Sequence, residues 1–314
     1  MKTKLTILSI SAVALIVLFM TYHALGNWDY VLPSRGRKLA AILITGAVIA
    51  VSTVVFQSIT NNRILTPSIL GLDSLYMLIQ TFGVYALGSS NMTFMNKNIN
   101  FLFSACLMVL FSGVLYKLMF RREGQNIYFL LLVGLIMGTM FQSASSFMEV
   151  LIDPNEFLIL QGKMFASFNN VSSDLLILST IVLTLTTLYF LRFVKYLDVI
   201  SLGKDEAINL GINYDYVVKR LLVIVSIYVS ISTALVGPIT FLGLLVANVG
   251  HQLFRTYKHA YLIPGTILLS IVALVGGQFL VERVFGFNTT VSVIINFAGG
   301  VYFVYLLLKE NKSW

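Results

Sequence analysis

Charged residues are scarce in this sequence. Only 11% of its 314 residues are Asp, Glu, Lys or Arg, whereas 58% are hydrophobic. Soluble proteins carry about 25% charged residues. So few charges cannot cover the surface of a water-soluble domain of this length. We therefore expect lipid to be the solvent for much of the chain.

Cysteine and histidine are also rare. Cys106 is the single cysteine and lies inside an apolar run, so the chain can form neither an internal disulfide nor a thiolate metal cage. The histidines are His23, His251 and His259, and no cluster of cysteines or carboxylates stands beside the last two. We expect these histidines to be interfacial side chains, and we expect no metal site in this chain.

The motifs of several enzyme classes are missing. The sequence contains no G-x-x-x-x-G-K-[ST] phosphate loop, no H-E-x-x-H zinc motif and no G-x-S-x-G nucleophile motif. We therefore expect that this chain does not hydrolyse ATP by itself and holds no cofactor. The same absences disfavour a membrane enzyme.

Acidic residues are nearly absent from the apolar stretches. Inside a membrane such residues usually mark proton or cation pathways. Asp73 comes closest, and it either caps the start of the third apolar helix or takes part in transport. A proton- or sodium-coupled secondary carrier needs a buried titratable site, for which Asp73 is the one candidate. That class of transporter remains the alternative.

Long stretches without charge make up most of the chain. They cover residues 5–28, 39–62, 74–96, 98–116, 124–148, 175–191, 221–254, 260–281 and 284–308. A helix that crosses the hydrocarbon core needs about 20 apolar residues. The stretch 221–254 is too long for one span, and Pro238 divides it. The sequence thus predicts an all-α membrane protein of about ten transmembrane helices, in a single polytopic domain over 1–314 with an uncleaved first helix.

The net charge of +8 comes from short basic clusters between these stretches. This distribution is typical of the positive-inside rule and not of a nucleic-acid-binding face. Ten helices put both termini on one side, and the rule places that side in the cytoplasm. Arg35, Arg37 and Lys38 then face outward against the rule and need another explanation.

Two apolar stretches contain weakly polar and small residues. Gln142 and Ser145 lie in the stretch 124–148, and Asn296 and Gly299 lie in the last one. Such residues pack membrane helices closely. They would equally line a pore suited to a bulky solute that needs no fixed counter-charge. Both interpretations stay open.

The inner segment 201–212 has the pattern of a short helix. Gly203 permits a turn into it, and Gly211 suits a left-handed cap at its end. Asp205 and Glu206 fall in its first turn, where negative charge interacts favourably with the helix dipole.

This segment resembles the coupling segment of the iron-chelate (ferric siderophore) and cobalamin permease family of bacterial ABC importers, the FecCD type. The family pattern LG-x-x-x-A-x-x-LG is matched in 201–212. Three further blocks agree in order and spacing. The segment 32–48 resembles an R-x-P-R entry to the second helix, 57–71 a Q-x-x-x-x-N-P-L-x-x-P-x-x-L-G turn, and 237–244 a G-P-I-x-F-V-G-L block.

The resemblance implies a fold, a function and partners. It implies a cobalamin-importer-permease-like subunit of ten helices, two such subunits around one pathway, two cytoplasmic ATPase subunits and an extracytoplasmic solute-binding protein. It implies uptake of a ferric siderophore, with haem or cobalamin less favoured, across the bacterial cell membrane. The iron arrives already chelated, and ATP is used by the partner subunit.

The resemblance assigns ATPase coupling to the cytoplasmic segment at about 198–215. The candidate residues there are Leu202, Gly203, Asp205, Glu206, Ala207, Leu210 and Gly211. Docking of the binding protein is assigned from charge instead. The outward cations Arg35, Arg37 and Lys38 would attract acidic residues of the binding protein, with lipid-headgroup anchoring as the alternative.

Three positions depart from the family pattern. The chain has 246–248 in place of V-P-H, 298–300 in place of G-A-P, and Arg63 where proline is common. In a homodimer both copies must serve every role at the symmetric interface. We therefore expect pairing with a different permease subunit, while neutral variation remains the alternative.

Overall fold

A computed structural model describes residues 1–23, 28–88, 96–119, 127–169 and 171–310 of the chain. The elements in these ranges are thirteen α-helices and one short 3-10 helix. They are α1 (Lys2–Thr21), α2 (Trp28–Thr60), the 3-10 helix (Pro67–Leu70), α3 (Leu72–Leu87), α4 (Lys97–Met119), α5 (Ile127–Leu151), α6 (Pro154–Met164), α7 (Ser173–Phe190), α8 (Val194–Ile200), α9 (Lys204–Asn209), α10 (Tyr214–Val236), α11 (Leu242–Phe254), α12 (His259–Arg283) and α13 (Val291–Glu310).

Ten of these helices correspond to the ten predicted spans. Seven of them are long and apolar enough to cross a membrane, namely α1, α2, α4, α5, α7, α10 and α12. The other three, α3, α11 and the described apolar part of α13, are shorter. The prediction of an all-α, multi-pass membrane fold is confirmed. One boundary differs, because α2 begins at Trp28 and so carries the cluster 35–38 within the helix.

The most buried helices form the centre of the bundle. α10 packs against α2, α4 and α7, and α2 also packs against α12. α3 pairs with α5, while α1 lies against α12 at the edge. Most residues of α10 between Val217 and Val236 are buried, whereas α1 buries only Ala12 and Phe19. α10 is therefore a core helix of the bundle, and α1 lies at its periphery.

The connection between α2 and α3 packs back into the bundle. The 3-10 helix lies against α5, about two turns from the start of that helix. A Cβ on Gly71, whose φ is +78°, would lie 2.9 Å from the Cα of Gly138. A Cβ on Gly134 would lie 2.9 Å from the Cα of Leu70. Small residues at both positions thus allow backbone to touch backbone.

Irregular backbone inside a membrane protein needs internal hydrogen-bond partners. The carbonyl of Arg63 accepts bonds from Gln57 Nε2 at 2.6 Å and from Asn248 Nδ2 at 2.9 Å. Asn62 Oδ1 accepts from the backbone N–H of Ile64 at 2.9 Å. Side chains from α2 and α11 therefore stabilise this connection.

Candidate functional site: the coupling face and the bundle interior

One end of the bundle carries the segment 201–212. The C-terminal ends of α2, α7 and α11 and the N-terminal ends of α10 and α12 meet there, together with α8 and α9. The N-terminus of the chain lies at the same end, since Lys4 Nζ donates to the carbonyl of Leu253 at 2.7 Å. We refer to this end as the coupling face.

A six-residue helix, α9, stands between the two glycines of the segment. Gly203 precedes it with φ 116° and ψ 167°, and Gly211 follows its C-cap with φ +81°. Both φ values are costly for residues with a Cβ. The N–H of Ala207 donates to the carbonyl of Gly203 at 3.1 Å, and the Ala207 side chain is fully buried. The sequence pattern and the local geometry agree here.

The outer side of this segment is apolar and exposed. Leu202, Ile208 and Leu210 expose 57%, 49% and 63% of their surface. Asp205 and Glu206 are exposed beside them. Exposed large apolar side chains next to charges are typical of a protein–protein contact. Ala207 therefore packs α9 against the bundle, and the exposed apolar side chains form a short surface on the opposite side of this segment; we call α9 with these side chains the platform.

The anchor beneath α9 is the end of α2. Tyr214, the first residue of α10, donates from its hydroxyl to the carbonyl of Ile59 at 3.5 Å. The ammonium of Lys204 lies 5.9 Å from the centre of the Tyr214 ring. A Cβ on Gly203 would lie 3.8 Å from Nδ2 of Asn61. α9 thus rests on α2 through the start of α10.

A polar cavity of about 620 Å³ opens on the coupling face. Arg63, His251, Arg255 and His259 contribute to its lining, together with Gln57. His259 is only 3% exposed at the first residue of α12, whereas His251 is half-buried. Oε1 of Gln57 is buried and has no hydrogen-bond partner among the described residues.

Arg35 and Lys38 of the basic cluster have partners within the chain. Arg35 donates to the carbonyls of Phe19 and Met20, in the last turn of α1, and of Tyr22, its C-cap residue, at 2.8–3.0 Å. Lys38 forms an ion pair with Glu282 at 2.9 Å. These bonds supply the explanation that the positive-inside rule lacked.

Arg37 is the member of this cluster that points outward. Its side chain is exposed, and its Nε donates only weakly to the carbonyl of Pro33 at 3.3 Å. Any electrostatic attraction of a binding protein by this cluster would therefore fall mainly to Arg37.

The pathway candidates on α5 separate into two environments. Gln142 is exposed on the surface of the chain. Ser145 is 3% exposed, and its hydroxyl lies 2.7 Å from that of Thr81 on α3 and 3.2 Å from Oε1 of Glu149. Ser145 therefore joins α5 to α3 in this conformation and does not reach the surface.

The candidates on α13 contact the turn before α11. Asn296 is half-buried, and its Oδ1 accepts from the N–H of Phe241 at 3.3 Å. A Cβ on Gly299 would lie 2.6 Å from Cβ of Phe241. Both residues therefore fix α13 against this turn, which contains Gly237 with φ +97°.

Asp73 lies in a small polar pocket inside the bundle. It belongs to the first turn of α3, whose N-cap is Gly71 with no side-chain cap, so the expectation that Asp73 caps α3 is wrong. Its Oδ1 accepts from the hydroxyl of Thr233 at 3.3 Å. The cavity beside it measures about 20 Å³ and is lined by hydroxyls that include Ser232 and Thr240. Its volume suits one water molecule and excludes a chelate.

Comparison with known proteins gives one consistent result. A model of the FecCD transport family matches residues 4–309. The petrobactin import system permease protein YclO of Bacillus subtilis (strain 168) is 63% identical over 313 residues, which cover 100% of this chain and 99% of that protein. The petrobactin import system permease protein FatC of Bacillus anthracis is 39% identical, over 90% of this chain and 79% of that protein.

Both organisms have a second, more distant relative of the same kind. The petrobactin import system permease protein YclN of Bacillus subtilis is 26% identical, over 88% of this chain and 85% of its own. FatD of Bacillus anthracis, of the same description, is 26% identical over 89% and 81%. A solved metal-chelate type ABC transporter, in an inward-facing conformation, superposes with a TM-score of 0.81 at 20% identity, over 98% of this chain and 99% of that chain.

Proposed function

The chain belongs to the FecCD transport family, and we propose that it is the membrane-spanning permease subunit of an ATP-driven importer for ferric petrobactin or a closely related siderophore. The observation that carries this proposal is the 63% identity to a petrobactin import permease over the whole length of both chains. The ten apolar helices and the short platform of α9 fit that role. A separate subunit would hydrolyse the ATP.

The coupling role is proposed for α9 and its two glycines. Leu202, Ile208 and Leu210 offer an apolar contact, and Asp205 and Glu206 offer charge to an ATPase subunit. Gly203 and Gly211 set the direction of the chain on either side, and buried Ala207 anchors the helix. On this proposal the coupling face is cytoplasmic, as are both termini.

The pathway is proposed to run along the exposed polar side of α5. Thr139, Gln142 and Ser146 are exposed about one turn apart, and Ser143 is exposed next to Gln142. Polar groups on a membrane helix rarely face lipid and usually face a protein or a water-filled cavity. If a second permease subunit packs on this side, these hydroxyl and amide groups would line the central pathway between the two subunits. Asn296 and Gly299 would shape its wall through their contact with Phe241.

The second permease is proposed to be a different chain. Two relatives from Bacillus subtilis, YclO and YclN, are both permeases of a petrobactin import system, and so are FatC and FatD from Bacillus anthracis. Paired but distinct permeases in each organism support a mixed dimer. An extracytoplasmic binding protein would deliver the chelate, with Arg37 as the free cation of the outer cluster.

Reconstitution tests this function directly. The chain would be placed in liposomes with its ATPase, its binding protein and a candidate second permease, and uptake of radiolabelled ferric petrobactin would be followed with and without ATP. We expect ATP-dependent uptake that exceeds uptake of ferric hydroxamates and haem, and that requires the second permease. Uptake driven by a sodium or proton gradient without ATP would instead identify a secondary carrier. ATP-driven uptake without the second permease would show that a homodimer suffices.

A further inference from the structure

Three polar side chains from three helices form one hydrogen-bonded chain at the coupling face. Nδ1 of His259 lies 2.6 Å from Oδ1 of Asp198, and Nε2 of His259 lies 2.6 Å from the hydroxyl of Ser58. Asp198 Oδ1 also accepts from the backbone N–H of His259 at 2.8 Å. Asp198 belongs to α8, His259 to α12 and Ser58 to α2, so this contact, the Asp198–His259–Ser58 chain, joins elements far apart in sequence.

The direction of these bonds follows from the chemistry of the groups. An ionised carboxylate only accepts, so Nδ1 of His259 carries a proton toward Asp198. The hydroxyl of Ser58 also lies 2.8 Å from the carbonyl of Val54. A serine hydroxyl has a single proton to donate, and it goes either to the imidazole or to that carbonyl. When Ser58 donates to the imidazole, Nε2 accepts and the ring is neutral; when Ser58 donates to the carbonyl of Val54, Nε2 must carry a second proton and donate to the Ser58 oxygen. In either arrangement the imidazole bridges α8 and α2, and its ring is buried.

The Asp198 end of this chain is continuous with the coupling segment. The hydroxyl of Ser201 donates to the carbonyl of Asp198 at 2.8 Å, and the N–H of Ser201 donates to the carbonyl of Leu197 at 3.0 Å. The N–H of Gly203 donates to the carbonyl of Ile200 at 3.1 Å. Backbone hydrogen bonds thus run from α8 to the first turn of α9, and a displacement of α9 would carry Asp198 with it.

The Asp198 carboxylate also completes the start of α12. The first N–H groups of a helix have no partner within it. The N-cap of α12 is Lys258, which makes no side-chain cap. Asp198 supplies that cap from another helix, and negative charge there also interacts favourably with the helix dipole. α12 is thereby tied to α8 by both its backbone and its first side chain.

The Ser58 end leads into the bundle interior. Ser58 lies in the last turn of α2, next to Gln57, which donates to the carbonyl of Arg63. The connection that follows ends at Gly71, in backbone contact with Gly138 of α5. α5 carries the exposed polar side described above. The Asp198–His259–Ser58 chain therefore stands between the coupling segment and the helices that would line the pathway.

We propose that the Asp198–His259–Ser58 chain is the joint through which movement of the coupling segment is transmitted to α2 and α12. This inference rests on the proposed function, because it presumes an ATPase bound at α9. On this proposal His259 is a positioning residue, which is hydrogen-bonded to Asp198 of α8 on one side and to Ser58 of α2 on the other. It contacts neither ATP nor chelate. Hydrogen-bond networks of this kind can carry coupling between distant sites, and typical coupling free energies correspond to roughly 5- to 150-fold effects.

The test removes only the hydrogen bond between Ser58 of α2 and His259. In the reconstituted importer, Ser58→Ala loses the hydroxyl but keeps the Asp198–His259 bonds. We expect ATP hydrolysis and assembly with the ATPase to persist, while chelate transported per ATP hydrolysed falls by about ten-fold. Ser58→Thr keeps a hydroxyl and should restore the ratio. Ser52→Ala is the matched control, since Ser52 is buried on the same helix and, among the residues that the structure describes, its hydroxyl bonds to the carbonyl of Ile49 in that helix.

A second variant guards against failure to fold. Asp198 exposes 44% of its side chain, so Asp198→Ala should be tolerated. It removes the hydrogen bonds between Asp198 of α8 and His259. Its transport-to-hydrolysis ratio should fall as in Ser58→Ala. An unchanged ratio in both variants, or an equal fall in Ser52→Ala, would overturn the joint. Failure of the proposed function looks different, because the wild-type protein itself would then show no ATP-driven uptake.

Discussion

A proline at position 207 should abolish transport while the membrane bundle stays folded. The N–H of Ala207 donates to the carbonyl of Gly203 at 3.1 Å within a helix of only six residues. Proline removes this bond, and its ring clashes with the same carbonyl, at a cost of about 3 kcal/mol. A helix this short has no stability of its own. An energy of about 3 kcal/mol corresponds to a fall of roughly 100-fold in the population of intact α9.

The chain offers a matched control one turn earlier. Lys204 is the first residue of α9, the position at which proline is tolerated because its N–H has no partner within the helix. Gly203 before it has ψ 167°, a value compatible with a following proline. Lys204→Pro should therefore keep α9 intact. The two variants place the same residue in the same short helix with opposite consequences.

The assay is ATP-dependent uptake of a ferric chelate in proteoliposomes with the partner subunits. Thermal unfolding of the purified protein reports the state of the bundle, since α9 lies on its surface. We expect Ala207→Pro to lose uptake at an unchanged melting temperature, and Lys204→Pro to remain near the wild-type rate. Equal uptake by both variants would refute a coupling role for an intact α9.

Three further predictions concern the bundle and its outer end. Gly71→Ala should lower the melting temperature markedly, because a left-handed residue with a Cβ costs about 1–2 kcal/mol and that Cβ would meet the backbone of α5; an unchanged melting temperature would contradict this packing. In a protein without the native cysteine, Gln142→Cys should react with a water-soluble thiol reagent in the assembled importer, and Ser145→Cys should stay protected. The reverse pattern would indicate that the pathway lies on the side of α5 that faces α3. Arg35→Ala should lower the melting temperature, because it removes the hydrogen bonds to the carbonyls at the end of α1. Arg37→Ala should leave the melting temperature unchanged and slow association of the binding protein at low salt only. Equal melting temperatures of the two variants would argue against stabilisation of α1 by Arg35.

Much of the fold could be predicted because lipid imposes it on the sequence. Backbone groups in hydrocarbon must bond within a helix, so charge-free length translates directly into spans. The same rule predicts the start of α2 too late, because the charges of 35–38 precede the charge-free stretch 39–62, whereas the helix begins at Trp28. Arg35 and Lys38 are accommodated within the helix because carbonyls at the end of α1 and the carboxylate of Glu282 receive them. Main-chain acceptors on another helix leave no trace in sequence.

The candidate site shows the same division between local and distant causes. The helix between Gly203 and Gly211 was predicted because caps depend on neighbouring residues. The Asp198–His259–Ser58 chain was not, because its members come from three helices and no spacing relates them. The one available signal was three polar side chains near predicted helix ends. Such residues are common at membrane interfaces, so burial had to be seen before a role could be argued.

Three residues that depart from the family pattern make contacts within the chain. Asn248 stands where the family has histidine, and Arg63 stands where it commonly has proline, and the structure joins the two by a bond from Asn248 Nδ2 to the Arg63 carbonyl. The acceptor is a backbone carbonyl, which any residue at position 63 would supply. This hydrogen bond therefore depends on the identity of its donor, Asn248. Gly299 likewise meets Phe241 of its own chain. Asn248, Arg63 and Gly299 make these contacts within the chain, so the support for a mixed dimer comes from the paired relatives and not from these three positions.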